Sequence, residues 1–198
     1  MASFISRLPR GRYLALGALF ALLATAMLGS GSATGSDASD RGSNTETVFI
    51  RGAKGGPNGL KLFFDPPKTI ASGDILKIRS LTDGKNVGPH TFSLVKPGFL
   101  PTTKVDRQKC FTPGRICLAI AKWQGLTRDG KIGKNPGEAG KKGWDVLGTP
   151  SSRNGDSWFS GSKPGNEFKQ VVSAKPGTTL SFLCAIHPNM NGQIRVTN

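Results

Sequence analysis

Residues 184–190 read Cys-Ala-Ile-His-Pro-Asn-Met, and this short stretch near the end of the chain decides how the rest is interpreted. Cys184, His187 and Met190 follow one another at three-residue steps, a spacing suited to a loop that folds back on one ion. His90 lies far upstream, and the chain contains only these two histidines. One thiolate, two imidazoles and one thioether form a donor set that selects copper and suits both Cu(I) and Cu(II). We therefore expect these four residues to bind one metal ion.

The sequence around these residues predicts an all-β fold. Short runs rich in strand formers are separated by turn sequences such as Asp83-Gly84. Leu180, Phe182 and Cys184 share one parity, so Cys184 should face inward at the end of a strand. The predicted strands cover residues 47–51, 60–64, 74–81, 90–95, 168–173, 178–184 and 193–197.

A long insertion separates the two parts of the candidate metal site. Residues 97–166 are rich in Gly, Lys and Pro and exceed what a few strands require. Within them, Thr112-Pro113 is typical of a helix start, and the apolar spacing predicts a short helix over residues 113–124. Trp144 and Trp158 are expected to pack the insertion onto the sandwich, with exposed recognition aromatics as the alternative.

The amino-terminal region has the layout of an export signal. Residues 1–33 contain three arginines, an apolar run over residues 13–28 and then small residues, which predicts a cleaved secretory signal peptide. The alternative is a retained membrane anchor, for which this apolar run is short. Residues 34–45 are expected to form a disordered spacer, and the folded domain to cover residues 46–198. We expect an exported protein, located in the periplasm or at the cell surface.

The three cysteines divide by context. Cys110 and Cys117 have six residues between them in a loop-rich stretch, which favours a disulfide in an exported chain. Cys184 is left over. An unpaired thiol in an oxidising compartment is a liability unless it is occupied, and the neighbouring donors indicate a metal. The alternative is a buried cysteine acting as a small apolar residue.

The excess of basic over acidic residues limits the kinds of binding partner that the protein is expected to have. The signal holds three of the 27 basic residues and none of the 12 acidic ones, which leaves the mature chain at +12. Such a surface attracts anionic partners. No recognition helix, zinc-finger spacing or RNA-binding signature supports nucleic acid. An acidic redox partner, an anionic cell envelope or solubility alone explains the charge better.

These features resemble the cupredoxins, the small blue copper proteins that include plastocyanin, amicyanin and pseudoazurin. The likeness covers residues 46–96 and 167–198 and leaves the insertion unmatched. It implies a Greek-key β-sandwich and one type 1 copper held by His90, Cys184, His187 and Met190. It also implies that His187 lies nearest the surface, as the exit for the electron.

Two points remain open in this resemblance. Plastocyanin-like members often carry Asn after the upstream histidine, where it ties the two ligand loops together, whereas this chain has Thr91. A hydroxyl makes fewer hydrogen bonds than an amide, so we expect the hydrogen bonds around the metal to differ from those of plastocyanin-like members. Zinc also accepts Cys and His, but a thioether is a poor zinc ligand.

Three functions compete on these grounds. The first is a monomeric electron carrier with a single copper and a redox partner that docks through an acidic surface. The second is a copper enzyme, which needs further copper centres built mainly from histidine, and both histidines are already assigned. The third is a copper-binding, delivery or docking protein without a redox role. The sequence favours the carrier.

Overall fold

The computed structural model describes residues 42–55, 59–126, 131, 143–151 and 154–198, and it is built mainly of β-strands. The strands are β1 (Thr45–Lys54), β2 (Leu60–Asp65), β3 (Thr69–Ala71), β4 (Ile75–Ser80), β5 (Thr91–Val95), β6 (Ser157–Phe159), β7 (Glu167–Val171), β8 (Thr179–Leu183) and β9 (Asn191–Thr197). The predicted signal and all but the end of the predicted spacer lie outside these residues. No helix in the part that the structure describes is long and apolar enough to cross a membrane.

The strands form two sheets, which confirms the predicted all-β sandwich. The first sheet has the order β2-β1-β4-β7, in which β1 and β4 are parallel and the other pairs antiparallel. The second has the order β3-β9-β8-β5-β6, in which β3 and β9 are parallel and the other pairs antiparallel. All seven predicted strands are present. The sequence missed β3 and β6, each of three residues, because so short a run shows no readable alternation.

An aromatic core fills the space between the sheets. Phe64, Phe92 and Phe182 meet with ring centroids 4.5–5.7 Å apart, and Trp144 packs edge-on against Phe92 at 5.2 Å. Such geometry adds stabilisation beyond the buried area. A side chain on Gly192 would begin 2.7 Å from the Phe182 ring, so glycine is required for the two strands to meet there.

The insertion contributes to this core. Trp144 is fully buried and donates its indole N–H to the carbonyl of Leu76 at 3.3 Å. Trp158 is fully buried on β6, directly opposite Phe92 on β5. Both tryptophans are therefore core residues of the sandwich, and the alternative of exposed recognition aromatics is wrong.

Three α-helices accompany the strands in the described residues: α1 (Gly84–Val87), α2 (Lys104–Lys109) and α3 (Ile116–Trp123). A 3-10 helix covers Pro97–Phe99. Helix α3 confirms the predicted helix but begins after Arg115 rather than at Pro113. Helix α2 was not predicted because its six residues carry no apolar stripe. Its signal lies in Thr103, whose hydroxyl accepts from the N–H of Asp106 at 3.0 Å as an N-cap.

The predicted disulfide between Cys110 and Cys117 is present, and it lies in a second apolar cluster. This cluster also contains Leu183 and Ala185, the two neighbours of Cys184 in the chain. The disulfide therefore helps to hold the helical part of the insertion against the sheet strand that leads to the candidate site.

Replacing both Cys110 and Cys117 with Ser should lower the free energy of unfolding by about 2–4 kcal/mol, since the cross-link restricts the unfolded chain. Urea unfolding measures the change. A thiol assay on the variant should count one free thiol, that of Cys184. A loss below about 0.5 kcal/mol would contradict a stabilising role for the disulfide.

Candidate metal centre

The pairing of β5 with β8 brings two distant parts of the chain to one edge of the second sheet. His90 immediately precedes β5, and Cys184 immediately follows β8. Because the two strands are antiparallel neighbours, the start of one lies beside the end of the other. Both residues are buried, with exposures of 1% for His90 and 0% for Cys184.

The donor atoms of His90, Cys184 and His187 all lie within 4.8 Å of one another. The sulfur of Cys184 is 3.9 Å from Nδ1 of His90 and 3.6 Å from Nδ1 of His187. Sulfur and nitrogen bound to one metal at roughly 2.3 and 2.0 Å, at angles of roughly 110–120°, are roughly 3.5–3.7 Å apart. The two sulfur–nitrogen distances are therefore close to those expected around a shared first-row metal ion.

The loop after Cys184 is closed by its own backbone. The N–H of Cys184 donates to the carbonyl of Met190 at 2.9 Å, and the N–H of Met190 donates to the carbonyl of His187 at 2.8 Å. These bonds fold residues 184–190 into the compact loop that their spacing predicts. Met190 is buried at 1% exposure and joins the sandwich core. His187 is only partly buried, so it is the most accessible of the four candidate ligands.

Thr91 ties the two ligand loops together. Its hydroxyl accepts from the N–H of Ala185 at 2.8 Å, and its own N–H points at the sulfur of Cys184 at 3.4 Å. The hydroxyl thus makes the link between loops that the resemblance assigned to an asparagine. A donor aimed at the sulfur also stabilises a thiolate there.

The outer nitrogen of His90 has a partner that the sequence analysis missed. Nε2 lies 2.8 Å from the hydroxyl of Thr82, which in turn lies 3.2 Å from the hydroxyl of Ser80. The backbone of His90 is also held, since its N–H donates to the hydroxyl of Ser160 at 2.8 Å. The only sequence signal was the presence of hydroxyl residues at the end of a predicted strand.

The electrostatics of the site favour neutral side chains when no metal is bound. Burial, followed by the charge of His187, lowers the pKa of His90 from 6.5 to about 4. Burial also lowers the pKa of His187, although a hydrogen bond with the backbone of Val87 acts to raise it. Burial raises the pKa of the Cys184 thiol, although N–H donors led by Thr91 oppose the change. A cation would supply the positive charge that a buried thiolate lacks.

The donor set distinguishes between metals. Structural zinc sites close with four Cys or His ligands, and no other His, Cys, Asp or Glu joins this group within the described residues. One thiolate and two imidazoles instead match the trigonal set of electron-transfer copper sites, where a thioether serves as the weak axial ligand. The chemistry therefore suits copper better than zinc.

The two-sheet sandwich and the grouping of His90, Cys184 and His187 agree with what the cupredoxin resemblance implied. No protein-family model matches the chain, and no curated protein matches it.

Among solved structures, the chain is similar to three auracyanins. A dithionite-reduced auracyanin from the photosynthetic bacterium Roseiflexus castenholzii is 16% identical, with a TM-score of 0.40, and the match covers 79% of this chain and 98% of that one. Auracyanin B is 12% identical, with a TM-score of 0.40 and coverage of 78% and 89%. Auracyanin A, a "blue" copper protein from the green thermophilic photosynthetic bacterium Chloroflexus aurantiacus, is 16% identical, with a TM-score of 0.38 and coverage of 79% and 100%.

The metal-free protein should lose stability as the pH falls from about 6.5 to about 4. In this window the unfolded chain binds a proton at His90 that the folded protein does not bind, so protonation favours unfolding. The full shift in the pKa of His90 corresponds to roughly 3 kcal/mol of the free energy of unfolding. Urea unfolding at several pH values measures the slope, and His90→Gln should reduce it. An unchanged slope in that variant would contradict the assignment.

Proposed function

We propose that this protein is an electron carrier that moves one electron at a time through a single type 1 copper bound by His90, Cys184, His187 and Met190. The observation that carries the proposal is the convergence of three donor atoms within 4.8 Å, two of them on fully buried residues. A bound copper ion would supply the Cu(II)/Cu(I) couple at this point.

The contribution of the protein is to hold the donors still. His90 and Cys184 flank paired strands, and Thr91 fixes the spacing between their loops. Donors held in this way limit the rearrangement that accompanies a change of one electron. Partial exposure of His187 provides the accessible side of the site, where an electron would enter or leave.

A carrier fits these residues better than an enzyme does. Both histidines of the chain belong to the one cluster, so none is left for the histidine-rich centre at which copper enzymes bind substrate. We therefore propose that the protein is a carrier without catalytic activity.

The net positive charge indicates the partner. With a charge of +12 after signal removal, the carrier would be steered toward a redox protein with an acidic docking surface. We propose that it works as a monomer. We also propose that it is exported to the periplasm or the cell surface, because a disulfide is favoured in an oxidising compartment.

Copper delivery is the competing function, and retention of the metal separates the two. A carrier keeps copper through repeated oxidation and reduction, whereas a delivery protein releases it. Loaded protein should be cycled with ascorbate and ferricyanide in the presence of a Cu(I) chelator. Loss of copper within a few cycles would support delivery and contradict the carrier.

Replacing Cys184 with Ser should abolish the intense visible absorption of the copper-loaded protein, since that band requires a thiolate bonded to copper. Visible and electron paramagnetic resonance spectra measure the change. The matched control is the double Ser variant of Cys110 and Cys117, which keeps Cys184 and should keep the band. Colour retained in Cys184→Ser would refute the ligand assignment.

Replacing Met190 with Leu should leave copper bound and raise the reduction potential, because a weak donor that stabilises Cu(II) is removed. Voltammetry measures the potential. Ile194→Val, a buried change on β9, serves as the control and should leave the potential unchanged. Complete loss of copper from Met190→Leu would contradict the assignment of Met190 as a weak axial ligand, because it would show that Met190 is needed to retain the metal.

A further inference from the structure

We propose that Thr82, supported by Ser80, is the positioning residue that holds the His90 ring with Nδ1 directed at the metal position. The inference rests on the proposed function in that His90 is taken as a metal ligand. We call Ser80, Thr82 and Ser160 the hydroxyl cradle of His90, since all three place a hydroxyl within its immediate hydrogen-bond network.

The cradle is buried and its distances are short. Thr82 is 9% exposed and Ser80 is 2% exposed, so water competes little for their hydroxyl groups. Thr82 Oγ1 lies 2.8 Å from Nε2 of His90, and Nδ1 on the other side of the ring faces the sulfur of Cys184 at 3.9 Å. A single hydrogen bond therefore sets which edge of the imidazole faces the cluster.

The chemistry of the two ring nitrogens fixes the direction of the hydrogen bond between His90 and Thr82 when a metal is bound. A metal on Nδ1 requires the ring proton on Nε2, and Nε2–H then donates to the hydroxyl oxygen of Thr82. The Thr82 oxygen also lies 3.2 Å from the Ser80 hydroxyl, and either hydroxyl can be the donor of that hydrogen bond. The opposite tautomer would direct its ring proton at a thiol, which is a weak acceptor. The Thr82 hydroxyl can partner Nε2 in either tautomer, so the weak acceptor beside Nδ1 is what favours the metal-binding tautomer.

The segment of residues 160–166 forms hydrogen bonds both with His90 and with Ser80, and so fixes their relative position. Ser160 donates its N–H to the carbonyl of His90 at 2.8 Å, while its hydroxyl accepts from the N–H of His90. At the other end, Asn166 accepts from the N–H of Ser80 at 2.9 Å, and Gly165 donates to the carbonyl of Ser80 at 2.7 Å. The same short segment thus fixes His90 and the strand end that supports Thr82.

The backbone at Gly84 also approaches the segment of residues 160–166 closely. A side chain on Gly84 would begin 2.6 Å from the backbone of Ser162, so the turn after Thr82 lies directly against the same segment. This segment is part of the long insertion, which the cupredoxin resemblance left unmatched. The insertion therefore contributes to the placement of His90.

The test compares Thr82→Val, which keeps the shape but removes the hydroxyl, with Thr82→Ser, which keeps the hydroxyl. In Thr82→Val the buried Nε2–H loses its acceptor, so Cu(II) affinity should fall 10–100-fold, as is typical when the outer partner of a ligating histidine is lost. The reduction potential should rise by about 59 mV for each tenfold loss of Cu(II) affinity relative to Cu(I).

Thr82→Ser keeps the hydroxyl, so its Cu(II) affinity should stay within about threefold of the wild type and its reduction potential should stay close to the wild-type value. If Thr82 acted only through its methyl group, Thr82→Ser would not keep these values. Ser181→Ala is the matched control, since it removes a buried hydroxyl whose partner is Gln193 rather than a candidate ligand. It should leave affinity and potential unchanged. Competition with a chelator of known affinity and voltammetry provide the two readings.

Metal-free protein provides an independent reading. Nitrogen-15 NMR of the His90 ring should show the Nε2–H tautomer in the wild type and in Thr82→Ser, and a mixture in Thr82→Val. Equal copper affinity and equal potential in wild type and Thr82→Val would overturn the proposal, as would a Thr82→Ser variant as impaired as Thr82→Val. If wild type fails to bind copper, the proposed function fails, and an unchanged tautomer in Thr82→Val would then overturn the positioning role separately.

Discussion

The antiparallel pairing of β5 with β8 is the constraint on which the candidate site depends. It places the residue before one strand beside the residue after the other, although the two are 94 positions apart. The pairing is anchored by the packing of Phe92 against Phe182, with ring centroids 4.5 Å apart, one on each strand. The position of the donors is therefore set by the sandwich core, and the loop around Cys184 has only to close on itself.

The insertion is more closely integrated than its composition suggested. It supplies Trp144 and Trp158 to the core and β6 to the edge of the second sheet. A buried chain of polar side chains runs from Gln124 to Ser157, whose hydroxyl lies 2.7 Å from that of Ser93 on β5. The insertion thus contacts β5 from the outside as well as through the core. Its removal would expose the strand that carries His90.

The sequence predicted what depends on local pattern and donor chemistry. Alternation around Leu180 and Phe182 predicted β8 and the inward face of Cys184, and the spacing of Cys184, His187 and Met190 predicted a closed loop. It could not predict the contact of Thr82 with His90, because no periodicity links a hydroxyl to a ring eight residues away. Nor could it predict β6, whose three residues become a strand only because β5 lies beside them.

The order of the cysteines along the chain bears on how the Cys184 thiol would survive the export that we propose. Cys110 and Cys117 are seven positions apart, whereas Cys184 lies 67 positions beyond Cys117. Closing a short loop costs less chain entropy than closing a long one, so the adjacent pair meets first in the unfolded chain. Once Cys110 and Cys117 are joined, Cys184 has no free cysteine left in the chain with which to pair. After folding its sulfur is buried, so thiols from outside do not reach it. In an oxidising compartment, the spacing of the cysteines would therefore favour the Cys110–Cys117 disulfide over a disulfide with Cys184.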